Sequence, residues 1–382
     1  MTEKLYYKDA YIKEFWATVL ASGEYRDGLY SVILDKTAFF PEEGGQYSDK
    51  GSLSGVAVLD VIEKEGIIYH ITKEPLEVGT SVFGEIDFEE RYEKMQCHTG
   101  EHILSGLFHS LYGLDNVGFH LGKDDVTMDI SAPLGKEELM RVEQLANEII
   151  YKNVEVEAIF PAKEELSEME YRSKLDLKEN VRIVKIGEYD SCACCAPHVS
   201  RTGEIGIIKI LDFAKLRGGL RIHITAGRRA LKIFNLLYES ALSVSAKLSI
   251  PKEEISEGVS KLLLSLEDTK RELAEYRKSK ILEETKGIDV SGENALHVFR
   301  DASFEEMIAA ANEITENVSG ILILLSGVDG SYKYVISSKS LDLRERVKDI
   351  NKSLLGKGGG KSNMVQGSFS EKLSKIRDYF NL

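Results

Sequence analysis

The sequence lacks the features of a secreted, membrane-spanning or disulfide-stabilised protein. Its longest purely aliphatic run covers residues 321–325, far below the roughly 20 apolar residues that a membrane helix needs. The first residues are charged and contain no apolar segment of a secretory signal. Cysteine is scarce, and three of the four cysteines lie within residues 192–195, which favours metal chemistry in a reducing compartment. We therefore expect a cytoplasmic protein without a membrane partner.

The chain also has fewer basic than acidic residues. The chain has 49 Lys and Arg against 63 Asp and Glu, for a net charge of −14, which argues against a polyanionic partner. The basic residues are nevertheless clustered. Segment 215–232 has six of them and no acid, and segment 341–361 has six against three acids. Local patches of this kind can hold a phosphate backbone, although most are solvated surfaces.

Length and pattern predict an α+β protein of several domains. With 382 residues and 43% apolar composition, the chain can form two or three cores. Short β-branched runs separated by glycine turns give way near residue 90 to apolar residues at helical spacing. The predicted segments are a small antiparallel β-barrel at 1–90, an α+β domain at 91–240, a helical segment at 241–286 and an α/β domain at 287–382.

The helical segment carries apolar residues every three or four positions between residues 255 and 276. Such a seam is typical of a coiled coil. It fits either a homodimer, through this segment or the C-terminal domain, or packing within the chain. In the C-terminal domain we predict a glycine-rich loop at 356–361.

The most informative feature consists of two pairs of residues, far apart in the sequence, that could together bind one metal ion. His98 and His102 are four apart, which places them on one face of a helix predicted over 88–112. Cys194 and His198 repeat the spacing 92 residues later. One Cys and three His suit tetrahedral Zn²⁺. Cys192 or Cys195 could replace Cys194 if the loop turns differently.

The ligand count leaves the role of the metal open. Four protein ligands would close the coordination shell of a structural ion. An open position would let the ion lower the pKa of a bound water, and a third alternative is an ion that positions substrate. Glu101 lies between the two helical ligands and could act as a base, but we expect it to lie off the ligand face, in solvent.

Four motifs resemble those of the alanyl-tRNA synthetase editing domain and of its free-standing relatives, the AlaX trans-editing proteins, in their long form. They are the His and Cys pairs with the tail 202–206, the glycine-rich segment 39–51, the closing segment 217–227 and the C-terminal segment 356–367. Two positions differ from the family pattern. Residues 194–198 read CCAPH instead of CGGTH, which is similar to threonyl-tRNA synthetase, and Glu43 stands where glycine is common.

This resemblance implies hydrolysis of the ester in mischarged Ser-tRNA(Ala), with Gly-tRNA(Ala) as a second substrate. A pocket built for alanine rejects an added hydroxyl poorly, so a separate hydrolytic site is needed. The resemblance implies that Zn²⁺ is held by the His and Cys quartet and that Gln46 and Thr37 line the pocket. The implied contacts to tRNA are Arg217, Arg221, Lys357, Gly358, Gly359, Gly360 and Lys361.

Other functions fit parts of the sequence. One is a noncatalytic tRNA-binding module with structural zinc, and another is a deacylase for Ser-tRNA(Thr). A phosphoesterase of the type that shares the C-terminal motif would need an Asp-His-His sequence, which the chain does not contain. No segment before the barrel could house an aminoacylation core, so we do not expect a whole synthetase.

Overall fold

The computed structural model describes residues 2–123, 125–173 and 181–382. They form two compact units, Met1–Leu242 and Ser243–Leu382. Helices and several separate sheets occur in the chain, which confirms the predicted mixture of α and β structure in more than one domain. The division into four segments remains a prediction.

The first unit begins with a barrel. Its strands are β1 (Glu3–Lys4), β2 (Glu14–Glu24), β3 (Tyr30–Leu34), β4 (Lys36–Thr37), β5 (Gly51–Leu53), β6 (Val56–Lys64), β7 (Ile67–Thr72) and β8 (Ser81–Ile86). Six of them close in the order β2-β3-β7-β6-β5-β8, and β1 pairs with β4 in parallel. Alternate residues of β2 point inward, so Phe15, Ala17 and Val19 are buried while Trp16 is exposed.

The remainder of the first unit surrounds one long helix. Its elements are α1 (Phe88–Tyr112), β9 (Asn116–Leu121), β10 (Val126–Ile130), α2 (Lys136–Tyr151), β11 (Val156–Ile159), α3 (Lys163–Glu168), β12 (Ile183–Ile186), β13 (Asp190–Ala193), β14 (Ile208–Leu216), β15 (Gly219–Ala226) and α4 (Gly227–Leu248), the last of which ends in the second unit. The sheets have the orders β14-β15-β10-β9 and β11-β12-β13.

Helix α1 has the predicted bounds and sharp ends. Asp87 accepts a hydrogen bond from the Glu90 N–H at its start, and Gly113 adopts a left-handed conformation at its end. The helix is buried on nearly every side from Met95 to Phe108. A Cβ at Gly106 would lie 2.3 Å from the Tyr189 carbonyl oxygen, so this glycine allows the start of β13 to lie against α1.

The second unit contains α5 (Ile255–Thr285), β16 (Ala295–Phe299), α6 (Phe304–Ile314), β17 (Leu322–Val328), β18 (Ser331–Ser337), α7 (Leu343–Ser353), β19 (Gly356–Gly360), β20 (Met364–Phe369) and α8 (Leu373–Tyr379). The sheet has the order β16-β17-β18-β20-β19. Helix α6 packs on one face, and α7 and α8 pack on the other.

The prediction of a glycine-rich loop at 356–361 is wrong, because residues 356–360 form the edge strand β19. The glycines are needed for pairing. A Cβ at Gly358 would lie 2.3 Å from the Tyr334 hydroxyl, and one at Gly367 would lie 2.7 Å from the same oxygen. Glycine at these paired positions therefore leaves room for the tyrosine under the sheet.

The predicted seam of α5 is largely exposed within its unit. Val259, Leu262, Leu266, Leu273 and Tyr276 are all exposed. Burial on α5 is confined to its C-terminal end. The coiled coil and the homodimer thus remain predictions. In the described ranges, no helix is long and apolar enough to cross a membrane.

Candidate active site

The structure brings the four predicted metal ligands together. His98 and His102 lie on α1, and Cys194 and His198 lie in the segment after β13. Their ligand atoms all lie within 4.8 Å of one another, and Cys194 Sγ is 3.3 Å from His198 Nε2 and 3.6 Å from His98 Nε2. Zinc bonds of about 2.0–2.3 Å require separations of this order. The donor set and its spacing therefore fit a tetrahedral Zn²⁺.

Each histidine of the cluster is held by a hydrogen bond at its Nδ1 atom. The pairs are His98 with Gln46 Oε1 at 2.9 Å, His102 with Asp190 Oδ2 at 2.9 Å, and His198 with Thr99 Oγ1 at 3.0 Å. These bonds leave the three Nε2 atoms for the metal, an arrangement that fixes ring orientation in metalloproteins generally. Sequence reasoning missed Thr99 and Asp190, since their only signal is proximity to the ligands along the chain.

Asp190 links His102 to the partly buried cation of Arg172. Its Oδ1 accepts a hydrogen bond from Arg172 Nε at 2.8 Å. Burial alone would raise the pKa of Asp190, but His102 and Arg172 outweigh it and hold that pKa below its usual value. His102, Asp190 and Cys192 also lie close enough to share an ion. Both oxygens of Asp190 are already engaged, which makes this second group a poorer metal site.

The loop that carries Cys194 is fixed by Arg182. The guanidinium Nη1 donates to the carbonyl oxygens of Cys194 at 2.9 Å and Ala196 at 2.8 Å, while the Cys194 N–H donates to the Arg182 carbonyl. Burial would raise the pKa of the Cys194 thiol, but His98 and His198 hold it well below its usual value. The geometry thus favours a thiolate ligand at this position.

The other cysteines have different surroundings. Cys195 lies against the glycine-rich segment, where a Cβ at Gly44 would be 3.3 Å from its Sγ. Burial, together with the nearby charges of Cys194 and Glu43, raises the pKa of the Cys195 thiol. Cys97 is buried with its Sγ 3.8 Å from the Ala226 carbonyl. Cys194 is therefore the cysteine placed for metal binding, as the sequence pattern predicts.

Gln46 reaches the cluster from the barrel side. Gly44 and Gly45 precede it with φ of 63° and 82°, and a Cβ at Gly45 would lie 2.4 Å from the Phe119 carbonyl oxygen. These two positions therefore require glycine. The Gln46 side chain is fully buried, and its Nε2 has no hydrogen-bond partner among the described residues. Nε2 of Gln46 is thus an amide donor beside His98, a candidate metal ligand.

Thr37 has a different setting. Its hydroxyl lies 2.8 Å from His70 Nε2 and accepts a hydrogen bond from the Phe39 N–H. His70 Nδ1 lies 3.0 Å from the Val32 carbonyl, so the ring donates there and accepts from Thr37 at Nε2. Burial lowers the pKa of His70 to about 4. Thr37 is fully buried, and both of these hydrogen bonds join it to residues other than the four candidate metal ligands.

The expectation that Glu101 lies in solvent is wrong. Its side chain is buried and contacts Ser105 Oγ and Asn116 Nδ2. The reason is that α1 is enclosed on nearly every side, so the residues flanking the ligand face are also covered. The carboxylate of Glu101 is thus fixed on the same helix that carries His98 and His102.

The glycine-rich segment is joined to α1 by a buried ion cluster. Asp49 accepts hydrogen bonds from Arg91 Nη2 and from Arg91 Nε at 2.8 Å, and Lys94 Nζ lies 3.4 Å from its other oxygen. All three side chains are almost completely buried. Burial would raise the pKa of Asp49, but Arg91 holds it below its usual value. This cluster fixes the position of Gln46 relative to the histidines.

The predicted tRNA contacts lie in two places. Arg217 is exposed at the turn between β14 and β15, and Arg221 is exposed on β15 but paired with both oxygens of Asp129 at 2.8 Å. Lys357, Gly358, Gly359 and Gly360 are exposed on β19, and exposed Lys361 follows that strand. Each group lies within its own unit.

Two family models match the chain. Residues 181–223 match the threonyl and alanyl tRNA synthetase second additional domain. Residues 4–90 match the tRNA synthetases class II (A). The first match covers Cys194, His198 and Asp190, and the second covers the barrel with Gln46 and Asp49.

Among known proteins, the chain is 33% identical to the alanyl-tRNA editing protein AlaX-L of Pyrococcus horikoshii, over 99% of this chain and 97% of that protein. It is 30% identical to the alanine–tRNA ligase of Ignicoccus hospitalis, over 95% of this chain but only 40% of that enzyme. A solved C-Ala domain from Aquifex aeolicus alanyl-tRNA synthetase has 22% identity, a TM-score of 0.22 and covers 24% of this chain and 93% of that domain. On the full-length similarity to AlaX-L, the chain belongs to the family of alanyl-tRNA editing proteins.

Proposed function

We propose that this chain is an aminoacyl-tRNA deacylase that hydrolyses, in trans, the ester joining serine to tRNA(Ala). The observation that carries the proposal is the cluster of three buried histidines, His98, His102 and His198, with the partly buried Cys194. Beside it lies the Gln46 amide, whose Nε2 has no partner among the described residues. Membership of the editing family supports the substrate class. Glycine on tRNA(Ala) is the second proposed substrate.

The four clustered side chains would hold Zn²⁺, which supplies Lewis-acid chemistry or a site for substrate when bound. Asp190, Thr99 and Gln46 orient the three imidazoles through their Nδ1 atoms. In our proposal, the Gln46 Nε2 donates to the ester carbonyl oxygen, where negative charge develops during attack by water. A preorganised donor at this point stabilises the transition state more than the ground state.

Selection for serine requires a group that recognises its hydroxyl, because alanine differs only by that hydroxyl. We assign this role to Thr37. Its oxygen accepts from the Phe39 N–H and its proton goes to His70, which leaves one lone pair for the hydroxyl of serine. His70 would hold the threonine in this acceptor state because burial keeps the ring neutral.

Binding of tRNA is assigned to Arg217 and Arg221 in the first unit and to the 357–361 segment in the second. These groups are exposed, although the pairing of Arg221 with Asp129 makes Arg217 the freer cation. We further propose that the barrel and the α+β region form the hydrolytic domains, that α5 supports a homodimer and that the protein acts in the cytoplasm.

A deacylation panel tests this function. The zinc-loaded protein would be incubated with Ser-, Gly- and Ala-tRNA(Ala) and with Ser-tRNA(Thr), beside the Cys194→Ala variant. We expect release of serine from tRNA(Ala), little release of alanine and loss of activity in the variant. Failure to release any amino acid would favour a noncatalytic tRNA-binding module. Preference for Ser-tRNA(Thr) would retain the chemistry but reject the assignment to alanine.

A further inference from the structure

The glycine-rich segment forms a two-residue hairpin turn next to the metal-ligand cluster. Glu43 and Gln46 exchange both backbone hydrogen bonds, at 3.0 and 3.1 Å, and Gly44 and Gly45 between them have positive φ. Two residues paired in this way point to the same side of a hairpin, with their Cβ atoms about 5 Å apart. Because the Gln46 side chain contacts His98, Glu43 lies on the side of the turn that faces the cluster.

The turn also lies against the loop that carries Cys194. A Cβ at Gly44 would be 3.3 Å from the Cys195 Sγ. Burial raises the pKa of the Cys195 thiol, and the nearby charges of Cys194 and Glu43 raise it further. The Glu43 carboxylate is therefore close to a residue that directly follows a candidate metal ligand. Glu43 and Cys195 are also both positions at which the sequence departs from the motifs described above.

Glu43 has a carboxylate that is open to a ligand. Its side chain is exposed, whereas Gln46 is fully buried, so Glu43 lies on the solvent side of the pair. Among the described residues, Glu43 takes part in no ion pair. The carboxylates of Asp190, Glu101 and Asp49 are instead held by side chains of the protein. An ionised carboxylate has several acceptor positions and bonds strongly to cationic donors.

The substrate of the proposed reaction carries such a cation. An aminoacyl ester has a free α-ammonium group, whose nitrogen lies two bonds and about 2.5 Å from the ester carbonyl carbon. In the proposed function, Gln46 Nε2 donates to the oxygen of that carbonyl. A glutamate about 5 Å from Gln46 on the same side of the hairpin can reach the ammonium group while the amide holds the carbonyl.

We propose that Glu43 binds the α-ammonium group of the aminoacyl ester, so that the site selects esters with a free amino group over N-acylated esters such as peptidyl-tRNA. An acylated nitrogen is neutral and retains one N–H donor, whereas an ammonium group offers a charge and three donors. The inference rests on the proposed function, ester hydrolysis beside Gln46. It adds Glu43 as a residue that determines the class of ester.

The test is calorimetric titration of the zinc-loaded full chain with two stable analogues of an aminoacyl-adenosine end. One carries serine and the other 3-hydroxypropanoic acid, which lacks only the amino group, each joined by an amide to 3′-amino-3′-deoxyadenosine. The titration is made at about pH 6.5, where an α-amino group is mostly charged. For Glu43→Gln we expect about tenfold weaker binding of the seryl analogue, as when one hydrogen bond to a charged group is lost. Binding of the hydroxypropanoyl analogue should not change.

Glu42→Gln is the matched control, because Glu42 is an exposed neighbour whose N–H donates to the Val61 carbonyl instead of pairing with Gln46. It should bind both analogues as the parent does. Unchanged binding of the seryl analogue by Glu43→Gln would overturn the inference. An equal loss for both analogues, or the same loss in the control, would also overturn it.

Hydrolysis distinguishes failure of this inference from failure of the proposed function. The parent should release serine from Ser-tRNA(Ala) faster than it releases N-acetylserine from the N-acetylated ester, and Glu43→Gln should reduce that preference. Release of serine by the parent with the same preference in the variant would reject the role of Glu43 alone. No binding of either analogue and no release of serine by the parent would reject both.

Discussion

The imidazole of His102 and the carboxylate of Asp190 meet at 2.9 Å, although the two residues are 88 positions apart in the chain. The close packing at Gly106 allows this contact, because it lets β13 lie against α1. Arg172 holds the far oxygen of Asp190. His102 is thus the one histidine of the cluster that is oriented by a carboxylate, whereas Gln46 and Thr99 hold the other two.

Asp190→Asn should weaken zinc binding about 10- to 100-fold, the usual effect of removing a hydrogen-bond partner of a metal-ligating histidine. The measurement is competition with a chromophoric chelator at fixed pH. Asp115→Asn is the control, because Asp115 contacts His109 at 3.1 Å on the exposed end of the same helix. Equal zinc affinity in the two variants would show that Asp190 does not support the metal site.

Gln46→Glu separates the two roles of this side chain. Glutamate keeps an oxygen that can accept from His98 Nδ1, but it lacks the amide donor of Nε2. We expect zinc to be retained while the rate constant for release of serine falls about 10²- to 10³-fold, as when one oxyanion donor is removed. Zinc content by mass spectrometry and single-turnover hydrolysis measure the two effects. Full activity in this variant would exclude the proposed donor.

His70 should make stability depend on pH in a window above the titration of most carboxylates. Its pKa is about 4 in the folded chain and about 6.5 in the unfolded chain. Between these values only the unfolded chain takes up the proton, so the free energy of unfolding falls as pH drops from 6.5 to 4, by about 3 kcal/mol in total. Above pH 6.5 this contribution is fully present.

Urea unfolding at a series of pH values measures this effect as a difference between the parent and His70→Asn. Asparagine can still donate to the Val32 carbonyl but does not titrate. The parent should lose more stability than the variant between pH 6.5 and 5. The exposed His109→Asn serves as the control and should follow the parent. Parallel curves for the parent and His70→Asn would show that the buried ring does not titrate in this way.

Asp49→Asn should destabilise the chain by about 3–5 kcal/mol, because Arg91 would be left as a buried charge without its carboxylate. Lys94 would keep its other partner, Glu90, at 3.1 Å. Asp129→Asn removes the partner of the exposed Arg221 and should change stability by about 1 kcal/mol or less. Chemical denaturation compares the two. A small effect at Asp49 would mean that the glycine-rich segment is not held to α1 by this cluster.

The sequence predicts local features of this protein well. Helical spacing of apolar residues indicates α1 within its observed bounds, and the i,i+4 pairs indicate the four ligand residues that the structure brings together. These signals are local, since each depends on residues within one turn of a helix or one loop. The two glycines and the glutamine of segment 44–46 are also recognisable in the sequence as a motif.

Other features depend on packing between distant segments. The pairing of Asp190 with His102, the burial of Glu101 and the contact of Gln46 with His98 each join separate elements. A loop is predicted where strand β19 forms, because glycine usually disfavours strands. In the structure, the Tyr334 hydroxyl occupies the space that a side chain at Gly358 or Gly367 would need, so these positions require glycine. No local sequence pattern shows which residue from a distant segment will contact a given side chain.

The most direct test of the central claim is single-turnover hydrolysis of Ser-tRNA(Ala) and Ala-tRNA(Ala) by the zinc-loaded protein, with Cys194→Ser as the reference. Serine is similar in size to cysteine, so this change should leave the barrel and the C-terminal sheet intact. We predict fast release of serine, slow release of alanine and loss of serine release in the variant together with its zinc. Equal rates for the parent and the zinc-free variant, or no release above the rate in buffer, would contradict the assignment of hydrolysis to this cluster.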